Sequence, residues 1–178
     1  MSSDRAMRTV SGLATSRGYA AGPVFLYRGD GNLAVPEYVI EPHREKDEVR
    51  RFRNACDSVR SDLKNLIEVL RSRTDRSDVR VFECHLMILE DPLLNDEIVR
   101  HIEKDRLNAE ASVRRTVNGA REQFSRMNDP YFRERVRDLD DVERRLLHSL
   151  AGHKSNPLFN LTAPAIVVAD DLTPSETV

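Results

Sequence analysis

At 178 residues, with 39% hydrophobic and 33% charged residues, the chain is long enough for one domain, or for one domain and a piece of another. Its formal net charge of −2 argues against a nucleic-acid or membrane surface as the main partner. No apolar run reaches the ~18 residues that a membrane helix requires. The start Met1-Ser2-Ser3-Asp4-Arg5 lacks a signal-peptide core, and Cys56 and Cys84 form no CxxC pair, so a reducing, cytoplasmic setting is expected.

Gly12, Gly18 and Gly22 punctuate the first stretch, after which Val24-Phe25-Leu26-Tyr27 reads as a strand and Arg28-Gly29-Asp30-Gly31-Asn32 as a turn. From about residue 44 to 150 the only prolines are Pro92 and Pro130 and the only glycine is Gly119, which predicts a helical block. Val49, Phe52, Cys56, Val59, Leu63, Leu66 and Leu70 recur at alternating steps of three and four, one face of a helix over 44–73. Thr74-Asp75-Arg76-Ser77 breaks it, and a more apolar helix follows over 79–90, with Pro92 just past its end.

Asn95 is expected to cap a third helix over 96–105. Asn108 or Ala109 opens a fourth, with Val113, Val117, Ala120 and Phe124 on one face. Asn128-Asp129-Pro130 marks a boundary, because proline is favoured at the first helical position. The last helix covers 130–151, with Phe132, Val136, Leu139, Val142, Leu146 and Leu150 inward and Gly152 as its stop. Ala165-Ile166-Val167-Val168-Ala169 then reads as a second strand running into Asp170-Asp171-Leu172-Thr173-Pro174-Ser175-Glu176-Thr177 and the last residue, Val178.

Neither short strand is stable alone, so the two are expected to pair. The fold class is therefore mainly α: an antiparallel helical bundle inserted into an incomplete α/β subdomain. Residues 1–42 form the N-terminal strand part of that subdomain, 43–152 the helical subdomain, and 153–178 the start of the returning α/β part.

Chemistry is sparse. None of the histidines (His43, His85, His101, His148 and His153) belongs to a Glu-x-x-His pair, which excludes the di-metal bundle pattern. The glycine spacing precedes a strand and is no dinucleotide fingerprint. Thr173, Ser175 and Thr177 have no base near them in sequence. Phe82-Glu83-Cys84-His85-Leu86-Met87-Ile88-Leu89-Glu90 stands apart, since large apolar residues occupy more than one side of its helix. Two readings of it stand: a Met-rich docking surface, or plain core packing.

Four segments in order resemble one family, enzyme I of the phosphoenolpyruvate-dependent sugar phosphotransferase system. Ser11-Gly12-Leu13-Ala14-Thr15-Ser16-Arg17-Gly18-Tyr19-Ala20-Ala21-Gly22 is similar to its opening G-x-x-x-S-x-G-x-A-x-G. Phe82 to Asp91 is similar to its F-E-x-H-x-M-x-L-x-D helix, and Tyr131 to Val142 to its Y-x-x-E-R-x-x-D-x-x-D-[VI] helix. Asp171-Leu172-Thr173-Pro174-Ser175-Glu176-Thr177 repeats its D-L-T-P-S-E-T. The match covers about residues 11 to 178.

The resemblance implies a helical subdomain that docks the small phosphocarrier HPr, inserted into an α/β subdomain of the swivelling phosphohistidine type. It also implies a separate C-terminal barrel that binds phosphoenolpyruvate and Mg²⁺ and supports dimerisation. The family's phosphoacceptor histidine lies in a G-G-x-T-S-H segment after D-L-T-P-S-E-T, which by resemblance places it beyond Val178. No catalytic residue, no cofactor and no metal ligand is therefore expected within these residues, and the chain alone is expected to dock HPr without catalysis.

Phe82, Glu83, His85, Leu86, Met87, Leu89 and Arg135 would form the docking face by resemblance. Arg17 departs from the family's usual proline. Where some members carry acidic residues flanking the His helix, this chain has Arg76-Ser77 and Pro92-Leu93, implying weaker or rearranged charge steering. The alternative function is a free-standing helical interaction module derived from enzyme I.

Overall fold

Among the described residues, two strands frame five helices. The structure is a computed structural model that describes residues 9–13, 15–27, 36–73, 76–126, 130–152, 158, 161–169 and 172, without the side chains of 73, 76–78 and 130–134. The expected turn at 28–32, residues 74–75 of the expected break, His153 and the Phe132 side chain lie outside the described residues. So do the D-L-T-P-S-E-T turn, apart from Leu172, and Val178 after it. Arg76 and Ser77, expected in that break, already belong to the second helix, Arg76–Leu89, which was expected to start at 79.

Strand β1, Val24–Tyr27, pairs with β2, Ile166–Ala169, as the sequence predicts. The pairing is parallel, with register Val24↔Ile166 through Tyr27↔Ala169. Parallel neighbours need a crossover connection. Here the crossover contains all five helices: α1 Glu45–Arg73, α2 Arg76–Leu89, α3 Pro92–Lys104, α4 Ala109–Ser125 and α5 Pro130–Leu150. Helix α1 packs on α2 and α5, while α4 packs on α3 and α5.

The inward stripe of α1 follows the expected heptad as far as Leu63, and Leu70 is buried as expected. Between them Ile67 is buried, while Leu66 is only partly so. A straight helix drifts about 20° per heptad against a 3.5-residue repeat, which carries the buried face from one residue to the next. Leu147 joins Leu139, Val142 and Leu146 in the core from α5. Phe52, Phe82, Leu63, Leu89, Ile98, Ile102 and Leu146 are fully buried, each contributing ~1.5–3 kcal/mol of transfer free energy before ordering entropy is subtracted.

Helix α3 starts earlier than the sequence suggests. Asp91, not Asn95, is its cap: the Asp91 carboxylate accepts from the Leu93 N–H at 2.9 Å, and Pro92 occupies the first turn. Asp-Pro is the same signal that marks the start of α5, so Pro92 opens a helix as well as closing one. The Asn95 amide instead donates to the carbonyls of Leu89 and Asp91, both at 2.9 Å, pinning the α2–α3 corner. Helix α5 ends as expected, with Gly152 at φ 76°.

Two buried polar joints hold the block together. Arg51 of α1 donates to Glu48 at 2.6 Å and 3.1 Å, to Glu110 of α4 at 2.7 Å and to the Leu150 carbonyl of α5 at 3.3 Å. Glu48 also accepts from the Ala109 N–H at 2.6 Å, so a carboxylate of α1 satisfies the start of α4. Burial opposes ionisation of Glu48, but Arg51 and the Ala109 N–H hold its pKa below the ordinary carboxylate value.

Asn108 is the second joint. Its backbone begins α4 as the sequence suggests, yet its side chain makes no cap bond. The amide donates to the Pro36 carbonyl at 2.7 Å and to Glu110 at 2.8 Å and accepts from the Tyr38 N–H at 3.3 Å. Its own N–H reaches the Tyr38 carbonyl at 3.0 Å. The segment leading from β1 towards α1 is thereby strapped to the α3–α4 turn.

Candidate docking surface

Helix α2 has two unlike faces: core packing holds for one, and the other is open to solvent at Met87. Val79, Phe82, His85 and Leu89 point inward at steps of three, three and four. Phe82, His85 and Leu89 are each only 1% exposed. The expectation that these three form part of a docking face is corrected accordingly: the core holds them, and no partner can touch them without opening the bundle. Leu86 and Ile88 are partly buried against the same core.

Met87 lies on the opposite face and is 73% exposed. Glu83 is half-buried and receives Arg71 of α1 at 2.7 Å. Leu93, in the first turn of α3, is 80% exposed. It was not among the expected site residues; its place directly after Asp-Pro, on the outer side of a capped first turn, is the signal that would have found it.

Beside them runs a groove of about 1240 Å³. Ile88, Leu93 and Leu94 line one side, Phe124 of α4 another, and Leu139 and Arg135 of α5 contribute as well. Further lining comes from Glu97, His101, Arg114 and Arg115, so the groove is apolar in part and charged in part. His101 is itself buried, with its Nδ1 2.6 Å from the Asp105 carboxylate.

Arg135, the one expected docking residue from outside α2, lines the same groove as Ile88 and Leu93. Its guanidinium contacts the Cys84 sulfur and lies 3.8 Å from Asp138. The Cys84 thiol donates to Asp138 at 3.4 Å. Partial burial and the Asp138 carboxylate push the Cys84 thiol up, so it stays protonated beside the arginine. Cys56, deep in the core, is pushed up to about 11 by burial. Among the described residues, no cluster of His, Cys, Asp or Glu has the arrangement of a metal site, and no helix is long and apolar enough to cross a membrane.

A helical block carried between two parallel strands, with Leu93 lining a groove and Met87 exposed on α2, defines a mainly helical domain of the kind inserted between paired strands. The family model for the N-terminal region of PEP-utilising enzymes matches residues 11–135, and the chain belongs to that family. The phosphoenolpyruvate-protein phosphotransferase of Listeria monocytogenes is 32% identical over 174 residues, and that of Mycoplasma capricolum is 28% identical over 170. Each alignment takes in 96% of this chain and 29% of the relative, so the chain spans less than a third of the length of these proteins.

Among solved structures, the NMR solution structure of an Enzyme I (nEIt) protein superposes with a TM-score of 0.77 at 29% identity, covering 88% of this chain and 62% of that one. The N-terminal domain of the nitrogen-type enzyme 1 gives 0.68 at 21% identity, a likeness of fold alone.

Proposed function

We propose that this chain is the HPr-docking portion of a phosphoenolpyruvate–protein phosphotransferase. The whole protein would move a phosphoryl group from phosphoenolpyruvate, with Mg²⁺, through a histidine nitrogen to HPr. The observation that carries the reading is the exposed pair Met87 and Leu93 beside the groove that Arg135 helps to line. An apolar anchor pair with one arginine and a polar rim is the composition of a small, transient protein contact.

By itself this chain docks and does not transfer phosphate. His85 and His101 are buried and engaged by carboxylates, which suits neither as a phosphoacceptor. The leucine at position 93 and the arginine at 80, both exposed, weight the surface towards apolar contact over acidic steering.

Calorimetric titration with the HPr of the same organism tests docking. Incubation with phosphoenolpyruvate and Mg²⁺, followed by intact-mass measurement, tests the second part. Saturable binding with no phosphate added is the expected result. A phosphorylated chain, or a folded chain that does not bind, rejects the corresponding half.

A further inference from the structure

Both ring nitrogens of the buried His85 face carboxylates on α5. Nε2 lies 3.3 Å from Asp138 Oδ1, and Nδ1 lies 3.1 Å from Asp141 Oδ2. The Nδ1 contact is close but poorly aligned for a hydrogen bond. A neutral imidazole carries one N–H and would leave the other carboxylate against a lone pair, whereas an imidazolium turns an N–H towards each. Phe82 closes the ring off edge-on, with centroids 5.8 Å apart at 86°.

Beyond the two carboxylates the contacts continue in both directions. Asp141 also receives Arg145 at 3.0 Å. Asp138 receives the Cys84 thiol, and the Arg135 guanidinium lies beside both. A continuous line of groups thus runs from the core, at Asp141 and His85, to the groove, at Arg135.

We propose that His85 is a positioning residue for the docking surface. As a cation it fixes the Asp138 carboxylate, and Asp138 with Cys84 fixes the Arg135 guanidinium at the groove, so the partner meets a preset donor fork. His85 touches no partner atom. An arginine already held in its bound geometry loses less freedom on association than one free to rotate. This inference rests on the docking reading for its binding consequence, though not for the internal geometry.

The test uses the full chain and the variants His85→Gln, Asp138→Asn, Arg135→Ala and His85→Gln/Arg135→Ala. Ring ¹⁵N shifts of His85 and the side-chain Nε–H resonance of Arg135 are read by NMR, and HPr affinity by calorimetry. Two protonated ring nitrogens are expected, with an Arg135 resonance that moves or broadens in both His85→Gln and Asp138→Asn. Affinity should fall about tenfold in each, and the double variant should bind no worse than Arg135→Ala alone.

A singly protonated ring, an unchanged Arg135 resonance, or additive losses in the double variant would overturn the proposal. If His85→Gln fails to fold, the partly exposed Asp138→Asn carries the test. If the unmodified chain does not bind HPr, the docking reading fails, while the ring protonation and the Arg135 resonance still decide the positioning role.

Discussion

Replacing Met87 and Phe82 separately by alanine distinguishes the two faces of α2. The residues are five apart in sequence, yet one is 73% exposed and the other 1%. Burying a methionine fully is worth ~1.5–3 kcal/mol. With nearly three-quarters of Met87 open for a partner to cover, Met87→Ala should weaken HPr binding by roughly 1–2 kcal/mol, about 5- to 30-fold. Its effect on folding should stay within about 0.5 kcal/mol, as for other surface changes.

Phe82→Ala empties a site in the middle of the core and should cost about 3–5 kcal/mol of stability. For a chain of this size that lowers Tm by roughly 6–20 °C. Thermal unfolding followed by circular dichroism gives the stability of each variant, and calorimetric titration gives the affinity of Met87→Ala. A Met87→Ala chain destabilised by more than about 2 kcal/mol, or a Phe82→Ala chain with unchanged Tm, would refute the assignment of faces.

Other consequences follow from the buried polar joints. Arg51→Met leaves Glu48 and Glu110 without their shared cation. Because the arginine side chain is itself 35% exposed, the loss should fall below that of a fully buried pair, about 2–4 kcal/mol in urea unfolding. Asp141 is buried, which alone would raise its pKa, but His85 and Arg145 hold it well below the ordinary carboxylate value. A carboxylate depressed on folding contributes stability that is present above its unfolded value of about 4 and lost as pH falls below it. Acid unfolding should therefore be less steep between about pH 4 and pH 2 in Asp141→Asn than in the unmodified chain. Gly152→Ala meets no atom within 4 Å but must adopt φ 76°, so a loss of about 1 kcal/mol is expected in the same unfolding assay.

The helices were legible because their signals are local and periodic. A seven-residue apolar seam sets α1, Asp129-Pro130 sets the start of α5, and Gly152 sets its end. The pairing of β1 with β2 followed from the instability of either strand alone. What the sequence could not supply was the outcome at positions whose partners are distant in the chain. Asn108 carries a capping residue's signature, but its side chain is taken by Pro36 and Tyr38, some 70 residues earlier.

His85 shows the same limit at the site. A polar residue in an apolar helix reads as core or as surface contact until Asp138 and Asp141, more than 50 residues away, arrive on both sides of its ring. Leu93 was missed for the opposite reason. Periodicity rewards apolar residues that face inward, and an outward leucine at the start of a helix belongs to no stripe.

Amide NMR shifts during a titration of this chain with HPr test the docking assignment most directly. Saturable shifts concentrated on residues 83–94, with others near Phe124 and Arg135 and none on β1 or β2, are the expected outcome. Shifts confined to other faces of the bundle, or none in a chain that is folded, would contradict the assignment of this surface.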